Sequence, residues 1–197
     1  MTPLASPIKD QFVSTHWGQI ITPRSGRSAP QRPLWCADNE VFTGNFSWPV
    51  FSAWLESMTA YRSSCVFVTA PDVVGDAVAT LDRFRWYAWR IKALGFPVAL
   101  VAQDGMESLR WPPEYDALFV GGSTQWKLSD AADWCIRQAK NTGRWTHVGR
   151  VNSNRRIRHF QVIGVDSVDG TSLAFAPDKH YLRFGRQLAQ PSLLRNL

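Results

Sequence analysis

Six times between Leu34 and Asp169 the chain stops an apolar run on a polar residue or a glycine. LWCAD ends at Asp38, VFVTAPD at Asp72, VALVAQ at Gln103, LFVGG at Gly122, WTHVGR near His147 and VIGVDSVD at Asp169. The stops are separated by 34, 31, 19, 25 and 22 residues. Those intervals are long enough for crossover helices and far too long for hairpin turns, so the runs read as parallel strands of βα units. A parallel sheet that closes on itself brings the C-terminal ends of its strands to one mouth, where catalytic side chains gather. Asp38, Asp72, Gln103 and Asp169 are therefore expected to share one pocket. Like charges held close raise one another's pKa, a cost that a functional site justifies.

The expected fold class is α/β, a short (β/α)8-type, TIM-like barrel. A full barrel usually takes about 250 residues, whereas this chain has 197. Short loops follow, with a helix missing or a strand irregular. No repeat or linker divides residues 1–197, which read as one domain. Phe12 to Thr15 reads as the first strand, and Thr22 to Pro33 as a loop with three arginines. Val50, Trp54, Leu55 and Met58 fall at helical intervals. Asp76 reads as the N-cap of a helix whose stripe, Ala77, Leu81, Phe84, Ala88, Ile91 and Leu94, stops at Gly95 and Pro97. Ser129 opens another helix with Ala132, Ile136 and Ala139 inward and Gly143 at its end, and Ser153 to Phe160 reads as a third. Tyr181, Phe184 and Leu188 give the tail a helical pattern.

Net charge is +6, and 17 of the 22 cations are arginine. Guanidinium binds phosphate and base edges bidentately and stacks on flat rings, so the bias points to a nucleic-acid partner. Arg155, Arg156 and Arg158 would by default decorate a solvated helix face; beside the mouth, with Arg150 and Lys127, they would grip phosphates. Trp126 reads as core or lid packing, and His147 as a hydrogen-bonded core histidine. In GVDSVDG the acids lie three apart and point to opposite faces of an extended chain. Asp169, last in its strand and next to Gly170, is the one expected in the mouth, and Asp166 takes a structural role. Gly121 and Gly122 leave backbone amides uncovered, where a planar ligand or an oxyanion can approach. Cys36, Cys65 and Cys135 have no metal spacing and read as buried thiols, and no metal site is expected. Walker, GxGxxG and GxSxG patterns are missing from the sequence, which takes support from nucleotide-triphosphate and serine-hydrolase chemistry. With no apolar stretch near the ~18 residues of a membrane span and no signal-peptide pattern, the expectation is a cytoplasmic protein with no membrane partner.

The ordered series WCADN, FVTAPDVVGDA, VALVAQDG, LFVGGSTQWKLS, HVGRVNS and GVDSVDGT, running from 33 to 172, resembles the tRNA-guanine transglycosylase superfamily. The likeness is greatest to its short phage-type branch, the 7-deazaguanine DNA transglycosylases. The resemblance implies an enzyme that exchanges guanine in DNA for a 7-deazaguanine base and needs no external cofactor. It puts Asp169 on the nucleophile that attacks C1′ and Asp38 on the acid/base carboxylate. Asp72 and Gln103 fall on the groups that read the purine edge, and Gly121 and Gly122 on the backbone that meets its carbonyl oxygen. His147, Val148 and Gly149 border the base, through main chain more than side chain. The implied partners are guanine sites in DNA and the free 7-deazaguanine base, with a helicase or other DNA-opening protein as a further candidate. The zinc cluster of the tRNA branch has no counterpart here and the chain is much shorter, departures that favour DNA; Asn39 stands where the tRNA branch has Ser-Gly-Gly, a departure in the loop after Asp38. A tRNA enzyme of the same kind, a base-excising glycosylase and a non-catalytic nucleic-acid-binding barrel subunit are the alternatives.

Overall fold

The computed structural model describes residues 2–5, 18–26 and 29–170. Its strands are β1 (Thr2–Ala5), β2 (Gly18–Ile21), β3 (Trp35–Ala37), β4 (Cys65–Thr69), β5 (Val98–Ala102), β6 (Ala117–Val120), β7 (Trp145–Val148) and β8 (Ser167–Asp169). From β2 to β8 they pair in chain order, every pair parallel, in a sheet that curls around an apolar interior, a TIM-like α/β arrangement. The backbone of β1 pairs in parallel with β2 on one side and with β8 on the other.

Period-two alternation divides each strand between two cores. Ile20, Cys36, Phe67, Ala99 and Ala117 fill the inside of the curl, with Phe119 and Trp145 packed against them. Trp35, Val68, Leu100, Leu118, Val148 and Val168 face outward into the layer beneath the helices. Both faces are covered, so the strands read as nearly continuous apolar runs.

The helices are α1 (Trp48–Ser57), α2 (Ala77–Ala93), α3 (Thr124–Lys127), α4 (Asp130–Asn141) and α5 (Asn154–Ile163). Asp76 caps α2 by accepting a hydrogen bond from the Ala79 N–H at 2.9 Å. Its buried face is Ala77, Leu81, Phe84, Ala88 and Ile91, and Gly95, at φ +84°, turns the chain out of the helix. Ser153 accepts from the Arg156 N–H to cap α5. Ser129 sits at the N-cap of α4, but its hydroxyl donates to the Trp126 carbonyl instead of capping. In α1 the inward residues are Phe51 and Leu55, Met58 is buried at its C-cap, and Val50 is exposed. Between β5 and β6 a three-residue 3-10 turn, Met106–Ser108, replaces a helix, and β3 carries a register shift between Trp35 and Cys36. The missing helix shortens the fold, and the register shift leaves Val66 as an extra residue opposite Trp35 and Cys36.

Two expectations are corrected. Gly18–Ile21 is a strand that the sequence pattern misses, because four residues opening on glycine are too few to show a period. VIGVDSVD is not one run: Val162 and Ile163 finish α5, and only Ser167–Asp169 is strand. Phe12–Thr15 and the helical pattern at 181–188 lie outside the described residues. All three cysteines are buried free thiols. Burial pushes Cys36 and Cys65 well up and Cys135 to about 12, so none offers a thiolate. Among the described residues no helix is long and apolar enough to cross a membrane.

Candidate active site

The strand C-termini of the curled sheet open on a cavity of about 380 Å³, within the size range of small-molecule sites. Residues from β2 and from the ends of β3 to β8 line it, and Asp38, Asp72, Gln103 and Asp169 are all among them. Asp169 ends β8 on the inward face. Asp166, three residues earlier, is outside: it accepts Lys140 Nζ at 2.6 Å and both the N–H and the hydroxyl of Thr146 at 2.8 Å.

Each carboxylate is held differently. Asp169 accepts through both oxygens, Oδ1 from the Arg150 N–H and Oδ2 in contact with His147 Nε2, each at 2.9 Å. Asp38 accepts from the Glu40 N–H at 2.9 Å. Burial, and then the charges of Asp169 and Asp72, raise its carboxyl from the ordinary 3.8 to about 6 despite that hydrogen bond. Asp72 is raised by burial too, although Gln103 Nε2 donates to its Oδ2 at 2.6 Å. The Gln103 carbonyl oxygen accepts the Gly75 N–H at 3.0 Å, so backbone fixes the amide's orientation.

Asn39 ties this wall together, a part the sequence did not suggest. Its side chain donates to the Ala70 carbonyl and accepts the Val41 N–H, and its own N–H donates to the Thr69 hydroxyl. Phe119 and Phe42 complete the lining. Phe42 is 62% exposed and stacks on the Arg150 guanidinium, 4.4 Å from the ring centre. Arg150, which lines the cavity, and Glu40, two residues past Asp38, are the two non-glycine residues at positive φ among those described, 60° and 63°. Such backbone strain concentrates at sites that need an exact placement of side chains.

Five expectations about site residues change. The Gly121 and Gly122 amides are not open, because both donate to the Ala102 carbonyl, at 2.9 and 3.1 Å. Gly121 does line the cavity, where a Cβ would fall 2.9 Å from Gln103 Nε2 and from Val101 Cγ1. Gly122 is needed for packing: its Cβ would lie 2.5 Å from Trp126 and 2.6 Å from Asp104 Oδ2. Arg150 turns inward, donating to the Gly121 and Gly122 carbonyls at 2.9 and 3.0 Å, and so is a wall of the cavity. Lys127 is 4% exposed and donates to the Gly149 carbonyl at 2.7 Å. Burial, with Arg150 nearby, lowers it to about 8. It braces the loop after β7 and cannot reach a phosphate on the surface.

Val148 points into the outer core, while Gly149 lines the cavity. His147 meets the site through its side chain: it is fully buried, and its two ring nitrogens contact Ser167 and Asp169. Trp126 is core packing, with its indole N–H donated to Glu107. Arg155 and Arg158 are exposed, and Arg156 is half-buried in a crevice beside Lys127 and Arg150.

Among the described residues no three His, Cys, Asp or Glu side chains are gathered to hold a metal. Compared with known proteins, the chain matches no family model and no curated relative.

Proposed function

We propose that this protein is a base-exchange glycosyltransferase that replaces guanine in DNA by a 7-deazaguanine base through a covalent aspartyl-glycosyl intermediate. The observation that carries the reading is one cavity lined by three carboxyl groups, of which Asp169 and Asp38 stand in unlike surroundings. Asp169 accepts the Arg150 N–H through one oxygen and meets His147 Nε2 through the other, and Asp38 is raised to about 6. Unlike environments are how paired carboxyls divide nucleophile from acid/base.

In the first displacement an Asp169 oxygen bonds to C1′ as the C1′–N9 bond breaks, and guanine leaves with the electron pair and a proton from the Asp38 carboxyl. In the second, Asp38 takes a proton from the incoming base, whose nitrogen attacks C1′ and releases Asp169. The proton given up first is recovered later, so the exchange balances without a co-reactant. A group titrating near 6 serves both directions close to neutrality. Asp72 and Gln103 supply an acceptor and an amide for the base edge. A closed (β/α)8-type barrel is part of this reading, supported by the pairing of β1 with both β2 and β8.

Mass spectrometry of nucleosides from DNA and, separately, from tRNA, each incubated with the protein and labelled 7-deazaguanine bases, tests the reaction. Label in the DNA is the expected result. Abasic sites with free guanine would make it a base-excising glycosylase, label in tRNA alone would make it a tRNA enzyme, and unchanged nucleic acid of both kinds would leave a binding subunit.

The arginine bias supports the polynucleotide partner. Binding should weaken steeply with salt, by about −0.9 in log K against log salt for each phosphate contact on duplex and about −0.7 on single strands. Arg155→Ala with Arg158→Ala, both exposed on α5, should lower that slope by one to two such contacts in a fluorescence anisotropy titration. An unchanged slope would make α5's basic face a solvated surface only.

A further inference from the structure

Buried behind Asp169 lies a chain of hydrogen bonds. Residues 145, 147, 167 and 169 all face the inside of the curl, and His147 and Ser167 are register partners on adjacent strands. The Trp145 indole N–H donates to Ser167 Oγ at 2.8 Å, Ser167 Oγ lies 2.9 Å from His147 Nδ1, and His147 Nε2 lies 2.9 Å from Asp169 Oδ2. Ser167 and His147 have no exposed surface. The imidazole is also clamped between rings, tilted 32° against Phe119 at 4.8 Å and 54° against Phe67 at 5.4 Å.

The donor inventory fixes where the protons sit. Indole nitrogen only donates, so Ser167 Oγ accepts from Trp145. A buried hydroxyl hydrogen then needs an acceptor of its own, and His147 Nδ1 is the one within reach. With Nδ1 accepting, the ring's proton is on Nε2, where it donates to the Asp169 carboxylate. We infer that His147 is a positioning residue for the nucleophile: a neutral imidazole, held in its Nε2–H tautomer by Ser167 and Trp145, that aims the Asp169 carboxylate at the anomeric carbon. The inference rests on the transglycosylase reading above.

Two consequences bear on the reaction. The carboxylate is gripped at both oxygens, by His147 and by the Arg150 N–H, so attack through either oxygen leaves an N–H on the other, which becomes the carbonyl oxygen of the glycosyl ester. Because the imidazole is neutral, the carboxylate is oriented without being neutralised by a cation. When the ester forms, the carboxylate charge disappears and the hydrogen bond loses its charge assistance. The donor therefore favours the carboxylate over the ester: it speeds the second displacement and makes Asp169 intrinsically less nucleophilic in the first, where the gain from orientation is the larger effect. Deeply buried, His147 is placed to orient Asp169 and not to activate a water from the cavity.

Single-turnover adduct formation on guanine-containing DNA, with KM measured alongside, tests the role in the full chain. His147→Phe keeps the ring packing and removes the donor; it should slow adduct formation by about a hundredfold, the usual penalty for a misplaced reacting group, with KM for DNA unchanged. His147→Gln, whose amide N–H falls close to the place of Nε2, should recover most of the rate, and Ser167→Ala should fall between. Nitrogen NMR of the imidazole, identified by its loss in the glutamine variant, should show Nε2 protonated and Nδ1 bare in the free protein. A phenylalanine variant that forms adduct at the wild-type rate overturns the role, and so does an imidazolium or an Nδ1–H ring. Should His147→Phe fail to fold, Ser167→Ala and the nitrogen spectrum decide. A wild type that forms no adduct overturns the transglycosylase reading itself, and this role with it. An active wild type with an indifferent phenylalanine variant overturns the role alone.

Discussion

Asp169→Asn should abolish base exchange, by roughly 10⁴-fold or more as for other removed nucleophiles, while DNA binding and the fold survive. The neutral amide is nearly isosteric but has no anionic oxygen to form the bond to C1′. The surroundings can accept it. Its carbonyl oxygen can take the Arg150 N–H, which must donate, and its NH₂ can face His147 Nε2 if the imidazole moves its proton to Nδ1. Ser167 Oγ would then accept from both Trp145 and His147, and its own hydroxyl hydrogen would lose its acceptor. That costs about 1–3 kcal/mol, so the variant should stay folded and melt about 2–12 °C below wild type. A denaturing gel of protein with guanine-containing DNA reads the chemistry: wild type gives a shifted covalent band and Asp169→Asn none. An adduct in the variant would remove Asp169 from the nucleophile's place, with Asp38 the next carboxylate to examine.

The contrast between Asp169 and its neighbours shows what a single sequence can convey about such a site. Asp38, Gln103 and Asp169 were legible because an apolar run that stops on a polar group reports two things at once, a buried strand and the end that meets the mouth. Asp72 lies three residues beyond its strand, past Ala70 and Pro71, and was legible for the same reason with less precision. The three-residue spacing of Asp166 and Asp169 was also enough to put one outside, because strand alternation is a local property. Contacts made by pairing across strands were not legible. His147 looked like any core histidine until its register against Ser167 brought Trp145 and Asp169 to its two sides. Gly121 and Gly122 looked like an exposed amide pair until both were seen donating to Ala102, one strand away. Lys127 and Arg150 read as surface cations because charge predicts exposure on average. One is carried inward by the short helix α3, and the other by a left-handed backbone that no glycine announces. Phe42 gave no signal, and Asn39 stood out only as a departure from the family pattern and not for the bonds it makes, since an exposed aromatic and a loop asparagine are common features of protein surfaces.

Asp38→Asn should differ from Asp169→Asn in kind: it makes the protein more stable and traps its intermediate. Burial and the neighbouring charges of Asp169 and Asp72 raise the Asp38 carboxyl from 3.8 to about 6 in the folded chain. Between those values the folded state holds a proton that the unfolded chain has released, so stability from this group falls as pH rises through the window. Above about pH 6 the whole penalty of an ionised, buried Asp38 is present. A shift of about two units corresponds to on the order of 2–3 kcal/mol, and asparagine removes the charge while its carbonyl oxygen still accepts the Glu40 N–H. At pH 7.5 the variant should therefore melt several degrees above wild type, given about 2–4 °C per kcal/mol for a chain of this size. Below about pH 4, where wild-type Asp38 is protonated in both states, the gain should vanish. Turnover should be lost all the same. Asp169 is intact and can still displace guanine, slowly without an acid to protonate it, but nothing takes the proton from the incoming base in the second displacement. Covalent DNA adduct should accumulate over time on a denaturing gel, even with free 7-deazaguanine present. A lower melting temperature at pH 7.5 would show that the Asp38 carboxylate is favourably held in the fold, and a variant that turns over normally would take Asp38 out of the proton transfers.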